Sequence, residues 1–181
     1  MPQFVALLRG VNVGKGNRVP MAAFRDLLVA QGCSAVTTLL NSGNAVFRSA
    51  SRSAAGHAGA IGAGLRETLG VDVVVVVKSS LEFSAAAAEN PLAFPESHCS
   101  RLLVAFAQSD AAAQRLTALR PLLDPLERLH IGRHAAYLYC AGGIMESKAG
   151  TALLGKLGRE VTTRNWATVL KLNALLDGGI A

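Results

Sequence analysis

Six of the seven residues from Val71 to Val77 are valine, and this run restricts the fold more than any other stretch of the chain. Side chains branched at Cβ are stiff at χ1 and fit a pleated strand better than a helix. From Val73 on, past Asp72, the run is unbroken and has no polar face, so the strand it forms must be covered on both sides. With neighbours and a second layer to cover it, the strand is expected to be central in its sheet. The run is too short to cross a bilayer, which takes about 18 uninterrupted apolar residues, and no other window of the sequence supplies them.

The segments leading up to it define the architecture. Gln3 to Val11 reads as a buried strand, and Asn12 to Val19 as a loop with two glycines, two asparagines and two basic residues. Pro20 opens a helix carried by Ala22, Phe24, Leu27 and Leu28 and stopped by Gly32. Val36–Leu40 and Ala45–Arg48 are short strands about Asn41-Ser42-Gly43-Asn44, a hairpin signal. After a polar linker, Ala54 to Leu69 forms a helix ending at Gly70. The order is βαββαβ, the ferredoxin-like split arrangement.

A helix over Ser79–Asn90 follows, and Pro91 and Pro95 mark a boundary. Beyond it come a strand (Arg101–Ala107), a helix from Asp110 to Leu119 capped by Ser109, and a hairpin of Glu127–Ile131 with Ala135–Cys140 about Gly132. Helices over Ser147–Leu157 and Asn165–Leu176 complete the chain. The second half thus begins βαββα and repeats the first. The predicted fold is α+β, with a ferredoxin-like subdomain over residues 1–90 and a second, similar α+β subdomain over 100–181 that carries the C-terminal helix.

Half of the residues are hydrophobic (51%) and 17% are charged, which supplies a sizeable core and excludes wholesale disorder. The start, Met1-Pro2-Gln3, lacks a basic stretch of the secretory type, so a soluble cytoplasmic protein without membrane attachment is expected. Cys33, Cys99 and Cys140 are odd in number and far apart, as suits free thiols rather than a disulfide framework. His130 and His134 flank a turn with no acid beside them, so neither a metal nor another cofactor is expected.

Eighteen Lys+Arg against twelve Asp+Glu give a net charge of +6, a balance that favours anionic partners. Four segments are candidates for meeting them. In the first, Arg9, Asn12, Gly14, Lys15, Gly16 and Arg18 lie between a strand and a helix. Glycines there free the backbone to turn and to present amides beside the positive end of the helix. The spacing matches neither a Walker A loop nor G-x-G-x-x-G. In the second, Asn44 closes the hairpin signal, where turn chemistry is the simpler explanation. In the third, Thr162-Thr163-Arg164-Asn165-Trp166 places Arg164 beside a helix start capped by Thr163 or Asn165. The fourth, Gly142 to Lys148, links a strand to a helix capped by Ser147. No catalytic set closes: there is no G-x-S-x-G, no H-E-x-x-H and no obvious carboxylate pair.

Val5 to Gly14, Val19-Pro20-Met21, Asn41-Ser42-Gly43-Asn44 and Thr162 to Trp166 with Val169 and Lys171 resemble the bacterial family called domain of unknown function 1697. The resemblance spans nearly the whole chain. It implies a bacterial, cytosolic α+β protein of ferredoxin-like subdomains, and implies no activity, cofactor or catalytic residue. The chain departs from the family's adjacent glycine pair, because Lys15 separates Gly14 from Gly16 and adds a cation to the loop.

The expected function is non-catalytic binding of a phosphate-bearing ligand, with nucleic acid as a candidate partner. Arg9, Lys15, Arg18 and Arg164 would contact phosphate, and Asn12, Asn44 and Asn165 would supply polar readout. Aromatics are only 5% of residues, and the aromatic strands of RNA readers are missing. An enzyme acting on a small phosphorylated or carboxylated metabolite, and a self-association module, stay open as alternatives.

Overall fold

A computed structural model describes residues 1–178. They divide into two compact units: Met1–Phe83 together with the stretch from Leu172 onward, and Ser84–Lys171.

The first unit contains β1 (Gln3–Leu8), α1 (Met21–Ala30), β2 (Ser34–Leu39), β3 (Asn44–Arg48), α2 (Ala54–Leu69) and β4 (Val75–Ser79). Its strands lie in the order β2-β3-β1-β4, each pair antiparallel. Alternation along β1 sends Phe4, Ala6 and Leu8 to one face, where they join Phe24 and Leu28 of α1 and Ile61 and Leu65 of α2. Their neighbours Val5 and Leu7, facing the other way, are fully buried too. Ser53 caps α2 by accepting the Gly56 N–H at 2.9 Å, and Gly70 ends it in the left-handed conformation at φ 65°.

The valine run behaves differently from the sequence reading. Its strand begins only at Val75, and β4 is an edge strand, not a central one. Val71 instead belongs to the end of α2, donating its N–H to the Leu65 carbonyl at 3.2 Å. The physical reason is that double coverage and centrality are separate properties. Val76 and Val77 point to opposite faces and are both fully buried, although β4 has a single strand neighbour.

Between the repeats, α3 (Ser80–Ala88) opens with a capping box. Glu82 Oε2 accepts the Ser79 N–H and hydroxyl at 2.9 and 2.7 Å. The second unit then builds β5 (Leu102–Ala107), α4 (Asp110–Gln114), β6 (Arg128–Ile131), β7 (Ala136–Tyr139), α5 (Lys148–Leu154) and β8 (Val161–Asn165), and the last helix, α6 (Trp166–Asp177), begins in this unit and from Leu172 belongs to the first. The strand order of the second unit, β6-β7-β5-β8, repeats that of the first sheet. The helix expected over Asp110–Leu119 is α4 continued by a 3-10 helix over Arg115–Leu122.

β8 is a further correction. Sequence alone starts the last helix at Asn165 and assigns no strand to the residues just before it, but Val161 to Asn165 form a strand paired with β5, with Arg164 opposite Val104. The second unit therefore completes its own βαββαβ. Thr162 and Arg164 are buried on β8, so polar side chains occupy positions where apolar alternation would have revealed a strand. Among the described residues no helix is long and apolar enough to cross a membrane.

Glu89, just past α3, fixes the β6–β7 hairpin. Its Oε1 accepts the N–H of His134 (2.8 Å), the N–H of Ala135 (3.2 Å) and the hydroxyl of Tyr137 (3.1 Å). Burial, with the Glu89 charge alongside, holds the Tyr137 phenol well above its ordinary pKa.

Candidate functional site

The site grows from the end of β1. Beyond Leu8 the chain turns through left-handed residues at Gly10, Asn12, Gly14 and Asn17, with φ of 61°, 58°, 63° and 49°. Glycine takes this conformation without a Cβ clash, and asparagine tolerates it when its side chain bonds locally. Asn12 does so on a larger scale. Its Nδ2 donates to the carbonyls of Val19 (2.8 Å) and Asn41 (2.7 Å), and its Oδ1 accepts the Val19 N–H at 2.9 Å. One amide thus closes the loop on itself and ties it to the β2–β3 hairpin.

The hairpin reaches the same place from the other side. Gly43 stands at φ 79°, and its carbonyl accepts the Leu8 N–H at 2.8 Å. A Cβ added there would lie 2.6 Å from Leu8 Cβ and 2.8 Å from Val11 Cγ2, so glycine alone permits this approach. Asn44, fully buried, donates Nδ2 to the Leu39 carbonyl and the Ser42 hydroxyl at 2.8 and 2.9 Å.

Between loop and hairpin lies a cleft of about 350 Å³ lined by Asn12, Arg18, Val19, Pro20, Met21 and Asn41. Its wall includes the start of α1, where Pro20 is the N-cap, no side chain caps the amides, and the first turn holds no acid. Uncapped first-turn amides carry a partial positive charge. The ion pairs among the described residues are Arg25–Asp26, Arg66–Asp72 and Arg115–Glu160. Arg18 and Lys15, both exposed, belong to none of them.

Of the residues expected from sequence, Asn12 and Arg18 meet in this cleft. Gly14, Lys15 and Gly16 form the exposed crest of the same loop. Arg9 is half-buried at its base, donating its N–H to the Val74 carbonyl at 2.9 Å, and burial lowers its pKa. Arg164 and Asn165 belong to the second unit. Arg164 is 7% exposed and its Nη1 donates to the Thr162 hydroxyl (2.8 Å) and the Thr163 carbonyl (2.7 Å). Burial presses its pKa down to about 10, which leaves it a cation at neutral pH. Asn165 caps α6, its Oδ1 accepting the Thr168 N–H and hydroxyl, each at 2.9 Å.

Asn41 and the Pro20–Met21 corner were not singled out as site residues from sequence. The signal was topological: in a βαββαβ sheet β1 and β2 run the same way, so the loop after β1 and the turn after β2 share one end.

The family model described as "Protein of unknown function (DUF1697)" matches residues 1–137, a span that contains the loop, the hairpin and the cleft. Among solved structures, that of a conserved bacterial protein from Streptococcus pneumoniae is similar, with a TM-score of 0.78 and 25% sequence identity. The match covers 97% of this chain and 98% of that one. No curated protein matches the chain.

Proposed function

The chain belongs to the DUF1697 family, and from that premise we propose that it binds a compact phosphate-bearing ligand in the cleft at the end of the first sheet. The observation that carries the reading is Arg18, a cation in no ion pair, sharing a cleft with the uncapped first turn of α1. Oriented amides and a guanidinium are the groups that hold a phosphate oxygen, through the helix dipole and charge-assisted hydrogen bonds. Lys15 on the loop crest adds long-range attraction, while Asn12 and Asn44 act as positioning residues that fix loop and hairpin. The Arg18 cation and the uncapped amides at the start of α1, beside apolar walls at Val19, Pro20 and Met21, are a set suited to holding an anion.

A cleft of about 350 Å³ is at the small end of ligand pockets. It favours a ligand with one or two phosphates over a tract of nucleic acid, which would need a longer track of cations. The test is calorimetric titration of the full chain with inorganic phosphate, pyrophosphate, nucleoside phosphates, sugar phosphates and mixed-sequence RNA, at low and moderate salt. Saturable binding of a small phosphate with a shallow salt dependence is expected. Arg18→Ala should weaken it about tenfold or more, as loss of a charge-assisted bond does. Failure of every probe to bind, or equal affinity in Arg18→Ala, refutes the proposal, and steep salt dependence with RNA alone would replace the compact ligand by nucleic acid.

A further inference from the structure

The stretch from Glu146 to Lys171 carries five cations, Lys148, Lys156, Arg159, Arg164 and Lys171, against two acids, Glu146 and Glu160, and the phosphate cleft uses none of them. Within the second unit a cleft of about 410 Å³ is lined by Arg115, Ala118, Lys156, Leu157, Arg159 and Glu160. Arg115 begins the 3-10 helix that follows α4, whereas Lys156, Arg159 and Glu160 lie on the turn between α5 and β8. The cations thus come from two separate segments, and the Arg115–Glu160 ion pair joins them. Val161, next to Glu160, pairs with Ala107 at the finish of β5. The cleft therefore lies at the end of the second sheet that corresponds to the end of β1 in the first.

The turn is held by its own backbone. Leu157 donates its N–H to the Ala152 carbonyl and Val161 donates its N–H to the Gly158 carbonyl, each at 3.1 Å. A Cβ at Gly158 would run into the Leu153 carbonyl, so glycine alone permits this path. Binding need not order such a turn, and little entropy is lost there. Lys156 and Arg159 are exposed and belong to none of the ion pairs among the described residues. With Glu160 set against Arg115, the cleft keeps two cations beyond neutrality.

Exposure decides which anion. A single ion pair in water adds about fivefold to affinity at best, so a small anion gains little from cations placed like these. A chain of linked charges gains at every contact, because each phosphate neutralised releases a counterion. Among the described residues no aromatic side chain lines the cleft, so it lacks the stacking platform that holds the bases of a single strand. A duplex turns its bases inwards, presents its phosphates as an outer ridge and needs no such platform. We propose that this cleft seats one backbone strand of a nucleic-acid duplex, with Lys156 and Arg159 on neighbouring phosphates and Arg115 joining them where Glu160 gives way. The site is independent of the phosphate cleft of the first unit and stands on different residues.

The experiment is fluorescence anisotropy of labelled mixed-sequence duplexes of about 20 base pairs, one DNA and one RNA, titrated with the full chain between about 20 and 200 mM salt. The single strand of the same DNA and polyglutamate serve as competitors. Saturable binding of at least one duplex is expected, with log affinity falling against log salt at a slope of about −2 to −3, as two or three phosphate contacts give. Lys156→Ala and Arg159→Ala should each weaken binding several-fold for any sequence and make the slope shallower by about 1. Glu160→Gln frees Arg115 and should tighten binding several-fold, a gain that damage to the fold cannot imitate. All three substitutions are at exposed positions, and Arg66→Ala, which removes an exposed cation of the first unit, should leave duplex affinity unchanged. The proposal is overturned if neither duplex binds at the lowest salt, or if the single strand or polyglutamate competes better than unlabelled duplex. It is equally overturned if Lys156→Ala and Arg159→Ala keep the parent's slope, if Glu160→Gln binds no more tightly, or if Arg66→Ala loses as much as they do.

Discussion

Replacing Asn12 by alanine should destabilise the first unit by about 3 kcal/mol, and the sum follows from two separate terms. The side chain makes three hydrogen bonds, to Val19 N–H, Val19 carbonyl and Asn41 carbonyl, at 2.7 to 2.9 Å. Each is worth roughly 0.5–1.5 kcal/mol net, and partial exposure puts the three together near 2 kcal/mol. The second term is the backbone: at φ 58° an alanine has a Cβ in the left-handed region without a bonding side chain, which costs about 1 kcal/mol. Asn12→Gly loses the first term and escapes the second, so it should fall by about 2 kcal/mol, less than alanine. Trp166 is the only tryptophan and belongs to the second unit, so intrinsic fluorescence does not report on this loop. Urea denaturation followed by far-UV circular dichroism, together with amide exchange at Val19, does report on it. Both variants should also lose phosphate affinity although no charge has changed. If both stay within about 0.5 kcal/mol of the parent, the cross-link is idle; if glycine is no better than alanine, the backbone argument is wrong.

Three further outcomes follow from backbone geometry and burial. Gly43→Ala should cost about 3 kcal/mol or more, seen as a fall in Tm, because its Cβ would enter the buried contact with Leu8 and Val11 at a left-handed φ. Burial raises the thiol pKa of Cys33, and that of Cys140 to about 11, whereas Cys99 is half-buried. A thiol reagent at about pH 8 should therefore titrate one cysteine quickly in the native protein and all three in urea. Between its ordinary value of 9.0 and about 11, Cys140 keeps its proton in the folded state after the unfolded chain has released it. The stability it contributes is thus complete below pH 9.0 and lost as pH rises toward 11. Cys140→Ala should flatten that decline in the urea midpoint, and an unchanged slope would count against the burial account.

The repeated βαββαβ order was legible where side-chain period and punctuation agreed. Pro20, Gly32 and Gly70 bound helices as their chemistry dictates, and Ser109 and Ser147 cap α4 and α5. It was illegible where burial and position part company. The valines of β4 report coverage of both faces, which an edge strand shares with a central one. β8 carries Thr-Thr-Arg-Asn in a buried place, so its identity as a strand lies in pairing with β5 and not in its own composition. The same division applies to the site. The cations and glycines of the loop could be read locally, but the junction of Asn12 with Asn41 spans 29 residues and exists only once the sheet has formed.

The order in which the chain is made differs from the order in which its parts are finished. Residues 84–171 form one uninterrupted unit, whereas the unit that begins at Met1 also takes in the stretch from Leu172. Leu172 and Leu176 are buried there. During synthesis the first unit therefore receives its last residues only after the whole of the second has been translated. The newer half is the first whose residues are all present, and the older half is complete last.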